Sequence, residues 1–296
     1  MTADADFWSQ IFNFTNYGEL LVLLQNSIVA GAVLGVVGGL IGVFVMSRDM
    51  AFAVHGISEL SFAGASAGLL FGVGVVEGSL VGSLVAAALI GLLGTRARDR
   101  NSIIAVLMPF GLGLGILCLA LYPGRSANKF GLLTGQIVAV DNPRLGSLIA
   151  ISIVVVVGLA VVWRPLMFAS VDVDVASARG VPTRFLSLYF MLLLGLAVAV
   201  SVQVVGSLLV LSILVTPAAA ALRLSSSPVL VPLLSCLFAV VSLVGGIMLA
   251  LGGSVPISPY VTTISFLIYV VCRVVAAVRK RHGNSGRTAD PLLARG

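Results

Sequence analysis

Nine long apolar runs follow one another along the chain, each bounded by charged residues, proline or glycine. They fall at residues 22–46, 51–76, 79–94, 103–122, 146–163, 185–202, 204–222, 229–252 and 257–278. An α-helix needs roughly 20 predominantly apolar residues to cross a bilayer. Open sheets are excluded there because hydrocarbon leaves their edge groups without hydrogen-bond partners. The runs therefore predict an all-α fold, a polytopic membrane helical bundle of eight or nine transmembrane helices.

The composition leaves few residues for a surface that faces water. Of the 296 residues, 59% are apolar and only 9% are charged, and the mean hydropathy is +1.16. A soluble domain carries roughly 25% charged residues. The net charge of +6 comes largely from basic residues that flank the runs and from the C-terminal tail. We therefore expect a protein whose outer surface contacts membrane lipid and that binds no nucleic acid.

Basic residues indicate the orientation, because cytoplasmic loops of membrane proteins are enriched in Lys and Arg. They cluster at residues 96–100, at Arg179 with Arg184, at Arg223 and in the tail. Placing all of them inside gives an outer N-terminus and an inner C-terminus. We expect a single transmembrane domain over residues 1–278 and a basic, mobile cytoplasmic tail over 279–296, in a multi-pass protein of the cell membrane.

One apolar stretch, residues 185–222, is too long for one crossing and short for two. Its only polar and flexible interruption is the segment 203–206, which contains Gln203 and Gly206. We predict that the helix is divided there.

Glycines recur at every fourth residue inside the first two runs. The series are Gly31, Gly35 and Gly39, then Gly64, Gly68 and Gly72. Small residues at this spacing clear one face of a helix, so that a neighbouring helix can approach closely. We predict helix packing at Gly35, Gly39, Gly64 and Gly68.

The sequence contains none of the common signatures of soluble enzymes. It lacks the G-x-x-x-x-G-K-[ST] phosphate loop, the H-E-x-x-H metal motif and the G-x-S-x-G turn. Its cysteines, Cys118, Cys236 and Cys272, lie apart inside apolar runs, where they serve as small hydrophobic residues. We expect no catalytic residue, no permanently bound cofactor and no ATP hydrolysis by this chain.

His55 and Glu59 are the only histidine–carboxylate pair within the apolar runs. At positions i and i+4 they share one helix face, with Cβ atoms about 5–6 Å apart, so both side chains could converge on one ion. Ionisable groups inside a membrane are costly and usually mark a pathway. The alternative is that the two side chains only pair with each other or lie near the membrane surface. The other histidine, His282, falls in the basic tail, where we expect it to be solvated.

A second informative segment extends from Asp172 to Arg184. Carboxylates at its start favour a helix N-terminus, and glycine followed by proline at its end favours a helix stop. A short cytoplasmic helix between two spans would suit the docking of a partner, and an ordinary solvated loop is the alternative. The residues that would form the docking helix are Asp172, Asp174, Arg179 and Gly180.

Four segments resemble the permease subunit of the manganese, zinc and iron ABC importers. They are residues 35–52, 55–64, 172–181 and 203–221. The last contains a Val-Gly-x-Leu-Leu pattern followed by Pro-Ala-Ala that is similar to the hallmark of the family. The resemblance extends over about 20–275, nearly the whole apolar region.

This resemblance implies a permease fold of the ABC-importer type and a non-catalytic membrane subunit. Such a subunit moves a divalent transition metal across the cell membrane, with manganese favoured and zinc or ferrous iron as alternatives. It also implies three partners, namely a cytoplasmic ATP-binding subunit, an extracellular metal-binding protein that delivers the ion, and a second permease chain. A homodimer is favoured over a heterodimer.

One departure from the family concerns the metal ligands. The family has Asp and then His at i and i+4 in the second span, whereas this sequence has His55 and then Glu59. One imidazole and one carboxylate are kept in the reverse order. This pair of ligands fits Mn²⁺, Zn²⁺ or Fe²⁺ without choosing among them.

Two other functions are open from the residues alone. A carrier driven by an ion gradient often shows inverted repeats and several charges within its spans, but no convincing internal repeat is present here. A membrane enzyme would need more polar groups at one depth than His55 and Glu59 provide.

Overall fold

In this computed structural model, helices account for the regular structure of the residues it describes, which are 18, 21, 24–94, 97–124, 140–251 and 257–285. Their bounds are α1 Gln25–Ser47, α2 Ala51–Phe71, α3 Val75–Leu93, α4 Ala97–Leu121, α5 Asn142–Val171, α6 Val173–Ala178, α7 Thr183–Val205, α8 Ser207–Leu214, α9 Thr216–Leu224, α10 Leu230–Ala250 and α11 Ile257–Ser285. These ranges contain no β-strand. The predicted all-α class is therefore confirmed.

Seven of the described helices, α1, α3, α4, α5, α7, α10 and α11, are long and apolar enough to cross a membrane. α2 has 21 residues, which is enough for a crossing, although His55, Glu59 and its serines lower its hydropathy. A further apolar segment, Leu209–Leu224, belongs to α8 and α9. When α2 and this segment are added to the seven, the described residues provide up to nine membrane crossings. This number agrees with the predicted bundle of eight or nine.

The long apolar stretch is divided where the sequence predicts. α7 ends at Val205 and α8 begins at Ser207, with Gly206 between them at φ 84°. That left-handed conformation is open to glycine at little cost. At the other end of the chain, α11 continues to Ser285, past the predicted domain boundary at residue 279. The rest of the basic tail and Arg96 lie outside the described residues.

One end of the bundle joins four helices through a basic and aromatic cluster. Arg100 of α4 donates to the carbonyl oxygen of Arg48 at 3.4 Å, and the Arg48 guanidinium lies 5.7 Å from the centre of the Phe190 ring of α7. Burial, and secondly the charge of Arg100, lowers the pKa of Arg48. Phe44 of α1 meets Trp163 of α5 edge-on at 4.9 Å. The end of α1 and the start of α4 therefore lie at the same side of the membrane.

The opposite end is held by amide hydrogen bonds. Asn26, at the start of α1, donates to the carbonyl oxygen of Val140 at 3.2 Å and to Asn142 Oδ1 at 2.8 Å. Asp141 caps α5 by accepting from the backbone N–H of Arg144 at 3.3 Å, which satisfies a donor that helix geometry leaves free. The starts of α1 and α5 thus share the end that the basic residues predict to be extracellular.

α2 lies at the centre of the bundle. It packs against α3, α4, α7 and α8, and 13 of its 21 residues are buried. Large apolar side chains are exposed on the outer helices, for example Val161 of α5 and Phe266 of α11, and at the two ends of α2, at Phe52 and Phe71. The polar residues of α2 are therefore separated from lipid by other helices.

Glycines allow α2 and α3 to pack backbone against backbone. A Cβ atom at Gly64 would collide with the carbonyl oxygen of Gly78, and one at Gly68 would collide with that of Gly74. Gly72 has the same spacing in sequence but no atom within 4 Å of its Cβ position. It ends α2 in the left-handed conformation, with φ 71°.

The first glycine series lies against α10. A Cβ at Gly39 would be 2.5 Å from the Cα of Cys236, and one at Gly35 would be 2.8 Å from the Cα of Val240. Ser235 donates to the carbonyl oxygen of Gly39 at 2.8 Å. Close approach here thus brings both van der Waals contact and an interhelical hydrogen bond.

We expect Gly64→Leu to reduce the amount of folded protein, because the side chain would have to displace the backbone of α3. Overpacking a tight core costs about 1–3 kcal/mol or more. Gly113→Leu is the matched control, since no atom lies within 4 Å of that Cβ position. The measurement is the yield and thermal stability of the detergent-solubilised protein. Equal stability of the two variants would contradict the packing described for α2 and α3.

Candidate functional site

His55 and Glu59 lie one turn apart on α2. The distance from His55 Nε2 to Glu59 Oε1 is 3.9 Å, and the two side chains are 29% and 4% exposed. This separation is too long for a hydrogen bond. The two groups thus approach each other inside the bundle without a direct bond between them.

Each side chain also has a polar atom without a partner. His55 Nδ1 and Glu59 Oε2 are buried and make no hydrogen bond within the described part of the chain. Leaving a buried polar atom unpaired costs about 1–3 kcal/mol, so mutual pairing alone does not account for the arrangement.

The separation of the two donors suits a shared metal ion. Nitrogen and oxygen ligands bind a first-row divalent ion such as Zn²⁺ at about 2.0–2.2 Å. Two such donors on one ion can therefore be separated by at most about 4.3 Å. The observed 3.9 Å between His55 Nε2 and Glu59 Oε1 falls within that limit, so both could bind one ion without moving apart or together.

α4 covers the turn that carries the pair. A Cβ at Gly111 of α4 would lie 3.0 Å from the carbonyl carbon of Glu59, and one at Gly56 would lie 3.0 Å from Cγ2 of Ile104. Glycine at 56 and 111 therefore lets the two helices meet closely at the level of the pair. This contact covers the backbone of α2 at Glu59.

The hydroxyl groups of the α2 serines near the pair are engaged in hydrogen bonds. Ser58 donates to the carbonyl oxygen of His55 at 2.8 Å, within its own helix. Ser61 and Ser79 of α3 share a hydroxyl contact of 2.7 Å, and Ser79 donates to the carbonyl oxygen of Ala199 in α7 at 3.3 Å. These bonds link α2, α3 and α7 beside the pair and occupy the hydroxyls.

Among the residues that the structure describes, the candidate site has two strong metal ligands, His55 and Glu59. Within the described ranges, no group of three or more His, Cys, Asp or Glu side chains lies together. Asp49, near the start of α2, lies in the turn after α1. A site with two ligands would hold an ion loosely, as transport requires, because the ion must also leave.

The segment after α5 forms the short helix that the sequence predicts. Asp172 caps α6 by accepting from the backbone N–H groups of Asp174 at 3.0 Å and Val175 at 2.9 Å. At the other end Gly180 adopts φ 82°, after Arg179 as the C-cap residue. The N–H of the next residue, 181, donates back to the carbonyl oxygen of residue 176 at 3.1 Å. This is a capped helix that ends in a Schellman-type turn.

The sequence analysis missed the apolar surface of this segment. Val171, Val173 and Val175 are 83%, 54% and 45% exposed, whereas Ala176 is fully buried. The sequence does contain a signal for this surface, because valine occupies every second position from 171 to 175, between and beside the aspartates. Exposed valines at a polar membrane boundary favour contact with a partner protein.

Comparison with known proteins shows the family of the chain. The model of the ABC 3 transport family matches residues 21–276. The manganese transport system membrane protein MntC of Halalkalibacterium halodurans is 28% identical over 225 residues, which is 76% of this chain and 77% of that protein. The manganese import system permease protein ScaB of Streptococcus parasanguinis is 24% identical over 260 residues, covering 88% and 92% of the two chains.

A solved structure has the same fold. PsaBC from Streptococcus pneumoniae, determined in complex with Fab, superposes with a TM-score of 0.78 over 88% of this chain and 95% of that chain, at 24% sequence identity. The family match covers nearly the whole bundle, and the related proteins are membrane proteins of manganese transport systems. The chain therefore belongs to the ABC 3 transport family and is the non-catalytic, multi-pass membrane subunit of a metal ABC importer.

Proposed function

We propose that this chain forms the path by which Mn²⁺ enters the cell, with His55 and Glu59 as its ligands in transit. The observation that carries the proposal is the pair itself, with donors 3.9 Å apart on a central helix and two further buried atoms without partners among the described residues. Manganese is favoured because the related MntC and ScaB proteins are named for its transport. Zn²⁺ and Fe²⁺ are the alternatives.

The chemistry of the pair suits such an ion. A carboxylate is a hard ligand that binds Mn²⁺ well, and an imidazole binds most first-row divalent ions. Water or other oxygen atoms would complete the coordination shell of the ion. With so few protein ligands, the ion is cargo that passes through, and the chain needs no permanently bound metal.

The energy for transport would come from a cytoplasmic ATP-binding subunit. This chain has no phosphate loop, and the exposed valines of α6 offer that partner an apolar contact. α6 packs against α5 and α7, and α7 in turn packs against α2. α7 could therefore transmit a movement of α6 on ATP binding to α2, the helix that carries His55 and Glu59.

Two further partners complete the proposed importer. An extracellular metal-binding protein would deliver the ion at the end of the bundle marked by Asn26 and Asn142. A second permease chain, most simply an identical copy, would form the other half of the membrane unit. The family and the resemblance in sequence support both.

We expect His55→Ala to abolish manganese uptake, because a carboxylate alone would be left to strip water from the ion. Glu59→Gln keeps the size of the side chain but removes its charge, and it should reduce uptake at least about tenfold. Glu77→Gln, on the exposed first turn of α3, is the matched control and should transport normally.

The assay is radioactive manganese uptake in cells that lack their own importers, with the amount of permease in the membrane measured in parallel. Normal uptake by both His55→Ala and Glu59→Gln, at normal abundance, would mean that the pair is structural. Repeating the assay with zinc and iron distinguishes the metals.

We expect replacement of Val173 and Val175 by serine to weaken capture of the ATP-binding subunit. Burying a valine contributes about 1.5–3 kcal/mol, so the double variant should bind about tenfold more weakly or worse. Val73→Ser, a similarly exposed valine at the opposite end of the bundle, is the control. Gly180 is a poor position for this test, because its φ of 82° strains any other residue.

The measurement is co-purification of the ATP-binding subunit with the permease and the ATPase activity of the complex. If the valine variant assembles and hydrolyses ATP like the Val73→Ser control, α6 is not the docking helix.

A further inference from the structure

The division between α7 and α8 lies inside the bundle. Gly206 and its neighbours Val204, Val205 and Ser207 are all buried. A helix interrupted at membrane depth exposes backbone groups, which is tolerated only where protein or a hydrated cavity surrounds them. The break is therefore a place where polar atoms are available within the bundle.

The backbone at the break is only partly satisfied. Gly206 donates to the carbonyl oxygen of Val202 at 2.9 Å, and Leu209 donates to that of Gly206 at 3.3 Å. A continuous helix would instead bond the N–H of Ser207 to the carbonyl oxygen of Gln203, and that of Leu209 to the carbonyl oxygen of Val205. Neither bond is present in this described segment. The carbonyl groups of residues 203 and 205 thus lack their helical donors.

Two side chains at the break are also without partners. Gln203 Nε2 and Ser207 Oγ are buried and make no hydrogen bond to any described residue, and Ser207 is 0% exposed. The nitrogen and oxygen of a glutamine amide exchange places when the amide turns about its last bond. When the Gln203 amide is turned in this way, its oxygen takes the place of the unpartnered nitrogen and can bind a cation.

Ser201 of α7 shows the usual state of a serine in a membrane helix. It is also buried, but its hydroxyl donates to the carbonyl oxygen of Ala197, four residues earlier, at 2.8 Å. Serines commonly satisfy themselves in this way. The hydroxyl of Ser207 makes no such bond among the described residues, because Gly206 interrupts the helix before it.

The break lies beside the helix that carries the metal ligands. Both α7 and α8 pack against α2, on which His55 and Glu59 also have atoms without partners among the described residues. Buried polar atoms without a described partner are therefore found both on α2 and on the α7–α8 segment that packs against it. Discontinuous helices in other transporters use unwound carbonyl groups to coordinate cations.

We propose that the α7–α8 break is a second cation position on the transport path, with the Ser207 hydroxyl, the Gln203 side-chain oxygen and the carbonyl groups of residues 203 and 205 as ligands. This inference rests on the proposed function, since the cation is the transported metal. Neutral oxygen ligands suit Mn²⁺ better than soft ions. They replace part of the hydration shell of the ion without holding it as strongly as a carboxylate would.

The first test removes the side-chain oxygen ligands while keeping side-chain size. Manganese uptake by the Gln203→Met and Ser207→Ala double variant should need about tenfold more metal for half-maximal rate. Ser201→Ala is the matched control, because its hydroxyl is already bonded within the helix. Membrane abundance and co-purification of the ATP-binding subunit should be unchanged in both variants.

The second test adds a soft ligand at the same position, in a background where Cys118, Cys236 and Cys272 are replaced by alanine. Ser207→Cys should lower the Cd²⁺ concentration that half-inhibits manganese uptake by about tenfold, because thiolates prefer soft ions. Ser201→Cys should not change it. The delivery protein is the same in all strains, so a difference between the two variants reports on the permease.

The outcomes separate the two proposals. If the wild-type chain supports no manganese uptake, the proposed function fails. If uptake is normal and depends on His55, but the variants at 203 and 207 match the Ser201 controls in both tests, only the second cation position is wrong.

Discussion

A carboxylate buried inside a membrane bundle is the constraint on which this structure depends. The Glu59 side chain is 4% exposed, and a carboxylate placed against lipid would be costly. α2 must therefore be surrounded by other helices at the level of Glu59, and it packs against α3, α4, α7 and α8. The glycines at 56, 64, 68 and 111 serve that requirement, because they let neighbouring helices come close enough to exclude lipid.

The same arrangement connects the pair to the short helix at the membrane boundary. Ser61 and Ser79 tie α2 to α3 by a 2.7 Å contact, and Ser79 continues the link to α7. α7 also packs against α6, the proposed contact of the ATP-binding subunit. Because α7 touches both the proposed docking helix and the helix of the proposed metal ligands, it is suited to pass movement from one to the other.

The sequence predicts most of the fold, because the thickness of a bilayer fixes the length of each apolar run. It also predicts the division at Gly206 and the capped helix after Asp172, since glycine and aspartate have strong local preferences. It does not distinguish Gly72, which ends a helix, from Gly64, which packs against one. The exposure of Val173 depends on which neighbours the folded chain supplies, and sequence spacing does not contain that information.

The order of the two ligands provides the most direct test of the central claim that the ion binds His55 and Glu59. The double variant His55→Asp with Glu59→His restores the carboxylate-then-imidazole order of the resembled family and keeps both ligand types. If the pair binds the metal, radioactive manganese uptake by this variant should substantially exceed that of His55→Ala at equal membrane abundance. Uptake as low as that of His55→Ala, or normal uptake by His55→Ala itself, would contradict the account.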